Sequence, residues 1–457
     1  MDLTLKLLTA ILMYFVLAPI LGLLCHRLQW LEKAVVAFMI LVLLPMHPAK
    51  SGFYLFPLPY LRTWLNGYEI LFIYPLCLAI IISGALRHRS RLLDSVSLPL
   101  LISLIALFIS NLVSATFSVA PFLSFQQVFR LGQMFLFVLG LSAFLRTDKE
   151  IKFLVHCLVA LLLYLDIQFI DLRWIHKRYV FQEVLHKNMT GLFCYTLALI
   201  ALTPRGRSEN DPIKNYFAII GLIGLMAAAQ TQSRAATLFA LATLVTSIIR
   251  RFRLKQSIKI VIYQVLFLCL VVPIVALSIK TGGNRFFSER TKALNSASDA
   301  TRARMIQDSL SVASRHWVFG AGPNTFGPYI SGLELKSKTL LEESLEGGSD
   351  SHSIQQAGIT ENFYYLFLAE NGAFGLLAIV IFLLSPLIVA LKSIFQFPRH
   401  HLAPLQLSLS LVLVFFPLHL KNERLFMFVP GLCLYLLMAL LACAGARVMR
   451  KDSILQP

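Results

Sequence analysis

The sequence predicts an all-α polytopic membrane protein with about 12–13 transmembrane helices and one long loop outside the bilayer. Three observations carry this. Apolar residue types make up 57% of the 457 residues and charged types only 14%, against roughly 45–50% and about 25% in soluble domains. Mean hydropathy is +0.73. Apolar runs separated by short charged clusters recur from end to end, interrupted by a single long polar segment. An ordinary soluble enzyme and a disordered basic tail are both excluded. The length accommodates about twelve spans of roughly 20 residues with their connections.

Taken in order, spans are expected near Leu7–Leu24, Ala34–Met46, Ile70–Leu86, Leu98–Phe117, Leu131–Leu145, Phe153–Leu165, Met189–Leu202, Tyr216–Ala229, Ala235–Ile249, Ile260–Ile279, Ala373–Leu391, Leu402–Leu418 and Leu425–Ala446. The first lacks a small-residue cleavage signature and reads as a retained span. Cys25, Cys77, Cys157, Cys194, Cys269, Cys433 and Cys443 fall in or beside apolar runs with no C-x-x-C, so they read as small buried hydrophobes, not as a disulfide framework or a metal site. These spans divide the chain into an N-terminal transmembrane bundle of about ten spans (1–279), a loop domain (280–372), and C-terminal spans with a tail (373–457).

The chain carries 41 Lys+Arg against 23 Asp+Glu, a net charge of +18. Alternate connections divide the basic residues unequally. One set, including the tail, holds 21; the other holds 11 in short segments and 9 in the long loop 280–360. Long loops cross membranes largely regardless of charge, so 21 against 11 decides. The tail is expected in the cytoplasm and the long loop outside. That loop has helical-looking stretches near Ala300–Ser314 and Leu333–Leu345, and Trp317, Phe319, Phe326 and Tyr329 argue that it is ordered.

Polar residues at the outer ends of spans are the informative ones. Arg130 follows Phe125-Gln-Gln-Val-Phe129 and opens an apolar run. Arg173-Trp-Ile-His-Lys-Arg178 leads into Leu185-His-Lys-Asn-Met-Thr-Gly191. Gln230-Thr-Gln-Ser-Arg234 separates two apolar runs, and Arg304 sits in the long loop. Polar groups in a membrane are costly and face a cavity or a partner. Cations gathered at one face suit an anionic ligand at headgroup depth, because a guanidinium grips phosphate through two parallel hydrogen bonds. A lipid-linked pyrophosphate fits; the plainer alternative is arginines snorkelling to ordinary anionic lipid. The loop closes with Thr360-Glu-Asn-Phe-Tyr-Tyr-Leu-Phe-Leu-Ala-Glu-Asn-Gly-Ala-Phe-Gly375, where Glu361, Asn362 and Tyr365 fall near one helical face. Glu370 would lie roughly opposite Glu361 on a straight helix. Trp317, Tyr329, Tyr364 and Tyr365 offer faces for sugar stacking, or core for the loop.

Three features together resemble the O-antigen ligase/polymerase family of bacterial inner-membrane proteins. They are Leu185-His-Lys-Asn-Met-Thr-Gly191; Gln232-Ser-Arg-Ala-Ala236 opening a span; and Arg304 with Gly320-Ala-Gly-Pro-Asn-Thr-Phe326, followed by Glu361-Asn362, Tyr365 and Glu370-Asn-Gly372. The resemblance covers roughly residues 120–440. It implies a helical bundle with a large periplasmic loop, in the inner (cytoplasmic) membrane, with the active site facing the periplasm. It implies transfer of a glycan from undecaprenyl pyrophosphate to an acceptor sugar on a lipid or glycan, with inversion and with neither metal nor cofactor. Arg234 and Arg304 would contact the pyrophosphate; Arg130, His186, Lys187, Asn188, Asn362 and Tyr365 join them as candidate substrate contacts. The family pattern commonly has His-Asn where this chain has Glu361-Asn362. A carboxylate is able to take the proton of an attacking hydroxyl, so Glu361 is the first candidate base, with His352 and then His186 as alternatives. Membrane lipids are the remaining expected partners, and nucleic acid is not one. The rival function is a transporter or flippase of lipid-linked oligosaccharide, which would spread its cavity charges along the spans.

Overall fold

Apolar helices make up nearly all of the computed structural model, which describes residues 3–45, 52–56, 67–87, 96–171, 187–203, 212–230, 234–253, 303–330, 362–420 and 429–455. In chain order they are α1 (Leu3–Arg27), α2 (Gln29–Phe38), α3 (Ile73–Arg87), α4 (Leu98–Thr116), α5 (Pro121–Phe144), α6 (Asp148–Ile170), α7 (Lys187–Ala201), α8 (Pro212–Gln230), α9 (Arg234–Arg253), α10 (303–315), α11 (Phe326–Ile330), α12 (Phe363–Gln396), α13 (Ala403–Leu420) and α14 (Val429–Leu455). Among the described residues six helices are long and apolar enough to cross a membrane, and five shorter apolar helices accompany them. The protein is therefore an all-α polytopic membrane protein. The expected span Ile260–Ile279 and the stretch Leu333–Leu345 lie outside the described residues.

Two details differ from expectation. A short antiparallel hairpin, β1 (Gly52–Leu55) with β2 (Tyr68–Leu71), pairs Tyr54 with Glu69, so residues 70–71 belong to a strand and not to the following helix. The helix expected from Leu131 begins ten residues earlier, at Pro121, which suits the first helical turn because its missing N–H is not needed there. Arg130 therefore lies within α5, and does not open it. The reason is tertiary: Gln126, Gln127, Arg130 and Gln133 are all buried, so a polar face continues the helix where hydropathy alone would start it later.

The chain forms two compact units, each interleaved in sequence. Unit 1 is Met1–Ile151, Arg302–Val389 and Leu420–Val448; unit 2 is Lys152–Thr301, Ala390–His419 and Met449–Pro457. In unit 1, Gly22 of α1 lies against Ala79 and Ile82 of α3, and Gly140 of α5 against Cys77 of α3. Missing side chains let these backbones approach, the usual basis of helix association in lipid. Hydroxyls tie further helices together: Ser103 of α4 to Ser385 of α12 at 3.0 Å, and Tyr435 of α14 to the Leu383 carbonyl at 2.8 Å. On α4, Leu98, Ile102, Ile105 and Ile109 are exposed while Leu100, Ser103, Leu104, Leu107 and Asn111 are buried. An exposed stripe of pure hydrocarbon beside a buried stripe containing polar groups is the pattern of a helix facing lipid.

In unit 2, Gly221 and Gly224 of α8 sit on Leu202 and on Leu162 respectively. Thr203 and Ser408 share a hydrogen bond at 2.6 Å, and His419 lies 3.4 Å from the Tyr195 hydroxyl, with the rings of Tyr195 and Phe239 against its own.

Candidate functional site

The site in unit 1 is built around a break in α12. At Gly372 the backbone leaves helical geometry (φ 66°, ψ −170°) and resumes beyond it. Gly320 and Gly322 of the loop also have positive φ, 74° and 114°, which a residue without Cβ adopts freely. The reason is contact. A Cβ on Gly320 would run into the backbone of Glu370 and Asn371, one on Gly372 into that of Val318, and one on Gly322 into Ser118. The two glycine-bearing motifs pair backbone to backbone like short strands. Ala321 N donates to Ala369 O (2.9 Å), Gly322 N to Glu370 O (2.9 Å), Ala373 N to Trp317 O (2.8 Å) and Phe374 N to Val318 O (3.2 Å). Helix groups freed by the break at Gly372 thus find partners in the loop, as buried backbone groups must.

Serines from the adjoining helix ends complete the joint. Ser114 of α4 donates to Glu370 O at 2.9 Å, and Ser124 of α5 to Pro323 O at 2.9 Å. Asn324 takes a left-handed conformation (φ 63°), which asparagine tolerates better than most residues, and its amide donates to Gln126 Oε1 at 3.0 Å. The Glu370 carboxylate is 1% exposed and accepts from Phe326 N at 3.1 Å, capping α11. It is a structural carboxylate, enclosed in the joint. The sequence signal was there: Ser110, Ser114 and Ser118 recur every four residues on and just after an apolar helix, a polar row with no use in lipid.

Beside this joint the hairpin docks on α5. Tyr68 is edge-on to Phe122 and Phe129, and its hydroxyl donates to Phe122 O at 3.3 Å. Glu69 Oε2 lies 4.0 Å from Arg130 Nε, both side chains almost fully enclosed. Burial pushes the Glu69 carboxyl above the usual carboxylate range, with Arg130 pulling it back; burial and the neighbouring Glu69 push the Tyr54 phenol up. Arg130, expected as a substrate contact, faces the hairpin and is 1% exposed.

The other expected residues fall as follows. Arg304 lies exposed in the first turn of α10, in the segment that leads into the joint. Asn362 stands before α12 and caps it, its Oδ1 accepting from Tyr364 N (3.1 Å) and Tyr365 N (3.4 Å); Tyr365 is half-buried in that first turn. Tyr329 is tied to His316 at 3.3 Å, whereas Trp317 is exposed. Arg234 is the first residue of α9, and Lys187 and Asn188 open α7. Glu361, His352 and His186 lie outside the described residues. Among the described residues His400, His401 and Asp452 bring ligand-type atoms within 4.8 Å of one another. His400 Nδ1 already accepts from Leu402 N (3.2 Å), which leaves its proton on Nε2, 3.1 Å from Asp452 Oδ2. That arrangement is a satisfied hydrogen-bonded clamp.

Residues 219–380, about a third of the chain, match the family model described as O-antigen ligase. The match supports the resemblance to the O-antigen ligase/polymerase family and a role of the polysaccharide-assembly kind. A search of curated proteins finds no match.

Proposed function

We propose that the protein is an inner-membrane, metal-independent, inverting glycosyltransferase that moves an undecaprenyl-pyrophosphate-linked glycan to an acceptor sugar at the periplasmic face. The observation that supports this most is the joint. The two motifs that resemble the family's, Gly320–Phe326 and Glu370–Gly375, pack directly on one another, with the helix bearing exposed Arg304 a few residues away. In the reaction the acceptor hydroxyl oxygen bonds to the anomeric carbon while the bond from that carbon to the pyrophosphate oxygen breaks. The leaving pyrophosphate takes the electron pair, and the hydroxyl proton goes to Glu361, the residue before the helix cap Asn362. Arg304 and Arg234 are the proposed pyrophosphate ligands; preorganised positive charge is worth most where negative charge grows as the bond breaks. His186, Lys187, Asn188, Asn362 and Tyr365 are proposed glycan or diphosphate contacts. Arg130 is left out, because its guanidinium is enclosed and faces Glu69.

Arg304→Ala is expected to cut glycan transfer about 100-fold, the scale of losing one stabilising group at a developing charge. The measurement is surface polysaccharide in a deletion strain complemented with the variant. A folded variant that restores full polysaccharide removes Arg304 from the site. The glycans of the deletion strain itself separate the two family activities: single repeat units indicate a polymerase, long chains stranded on the carrier a ligase.

A further inference from the structure

An exposed apolar collar runs along one edge of the loop joint in unit 1. On α4 the exposed stripe of Leu98, Ile102, Ile105 and Ile109 leads up to Phe117, 68% exposed just past the helix end. On α12, beyond the Gly372 break, a second exposed stripe begins at Phe374 and continues through Leu377, Ile381, Leu384 and Ile388. Hydrocarbon alone, recurring every three or four residues on an exposed face, marks a helix in contact with lipid. The loop residue Phe319 joins the two stripes at their ends. Its ring centroid lies 5.3 Å from that of Phe117, stacked at 15°, and 6.4 Å from that of Phe374, edge-on. Beside it Val318 and Trp317 are exposed, Trp317 at 66%. Two apolar helices and a loop segment that hydropathy places outside the bilayer thus present one continuous hydrocarbon surface.

The polar groups are arranged as such a surface requires. Irregular backbone is tolerated at membrane depth only where the protein itself satisfies it. The three carbonyls of Trp317–Phe319 are all engaged: Trp317 O accepts from Ala373 N at 2.8 Å, Val318 O from Phe374 N at 3.2 Å, and Phe319 O from the Ser114 hydroxyl at 2.5 Å. Charge stops just short of the segment. Helix α10 carries Arg304, Gln307, Ser311 and Arg315 on one exposed face, and Arg315, its last residue, precedes Trp317 by two. Arginine, then exposed tryptophan, then hydrocarbon is the order met on passing from lipid headgroups into acyl chains.

We propose that Trp317–Phe319 inserts into the bilayer, with Trp317 at its interface and Arg315 at the level of the lipid phosphates, so that the joint is moored in lipid. Continuity with the two lipid-facing stripes selects this occupant. A sugar fits less well: Phe117, Val119, Val318 and Phe374, the other exposed members of the collar, offer no hydrogen-bonding side-chain atom, and one face of Phe319 is already covered by Phe117. The mooring holds whichever side of the membrane the joint lies on, and it does not depend on the proposed reaction.

The test uses the full-length protein in nanodiscs of phosphatidylcholine, ordinary or brominated on its acyl chains, read by tryptophan fluorescence. The chain has four tryptophans, Trp30, Trp64, Trp174 and Trp317, so the emission of Trp317 is the difference between wild type and Trp317→Phe. That emission is expected to be lost in brominated lipid and to survive iodide added to the water. A variant carrying Trp30→Phe, Trp64→Phe and Trp174→Phe, in which Trp317 is the remaining tryptophan, reads the same quantity directly. The proposal is overturned if brominated lipid leaves the Trp317 emission intact. Loss to iodide alone would then place the segment in water, and loss to neither quencher would place it under protein, such as a second copy of the chain.

Discussion

Arg130 and Glu69 show how burial decides what a charged residue does. By composition Arg130 was one more cation beside an apolar run; in the structure it compensates a carboxylate on the hairpin. The folded-state pKa of Glu69 is raised above an unfolded value of about 4.3. Ionisation of Glu69 therefore opposes folding, a penalty absent below the unfolded pKa and growing as pH rises toward the folded one. Arg130 offsets it. Arg130→Met is accordingly expected to destabilise by about 3 kcal/mol, since breaking a buried pair leaves one charge uncompensated, and to do so more at pH 8 than at pH 5. Melting temperatures of wild type and variant at both pH values check this; an equal loss at the two would mean that Glu69 is not the responding group. At the same scale Glu370 resolves an ambiguity. Two acidic residues close the loop, and only the environment distinguishes them: Glu370 is enclosed and bonded to Phe326 N, which leaves Glu361 as the carboxylate to test in chemistry.

The element that positions the proposed site is the broken helix α12. Its apolar periodicity was legible, and so was the Gly372 interruption. That the break would be filled by Trp317–Gly322 was not, because backbone pairing between segments fifty residues apart depends on which carbonyls are left open, not on side-chain pattern. Capping of α11 by Glu370 is the contact on which this junction is most easily tested. Glu370→Ala leaves a buried N–H without its acceptor and is expected to cost about 1–3 kcal/mol; Glu370→Gln, which keeps an acceptor oxygen, is expected to recover most of it. Unfolding midpoints of the two variants distinguish a cap from mere space filling, which both would disturb alike. Helix α5 carries the same lesson: a row of glutamines and an arginine that hydropathy places before a span forms its first turns, with Gln126 bonded from Asn324 of the loop and Arg130 set against Glu69 of the hairpin.

At the scale of the whole chain, the orientation expected from the basic-residue count is open to direct test. Cysteines introduced at Ser351 and Ser453 are expected to react oppositely with a membrane-impermeant maleimide in intact cells, Ser351→Cys labelled and Ser453→Cys protected until the cells are permeabilised. The reverse pattern would invert the assignment of faces; the native cysteines among the described residues are buried and give little background. The sequence by itself determined the class of molecule: 57% apolar residues in repeated runs have no stable place except a bilayer, and the glycine- and arginine-bearing motifs located the family. Only the tertiary structure decided that unit 1 draws on the beginning, middle and end of the chain, and which polar residues are structural and which exposed. Hydropathy is summed along the chain and survives folding, whereas a charge's role depends on its desolvation and its partners, and both are set by segments far away in sequence.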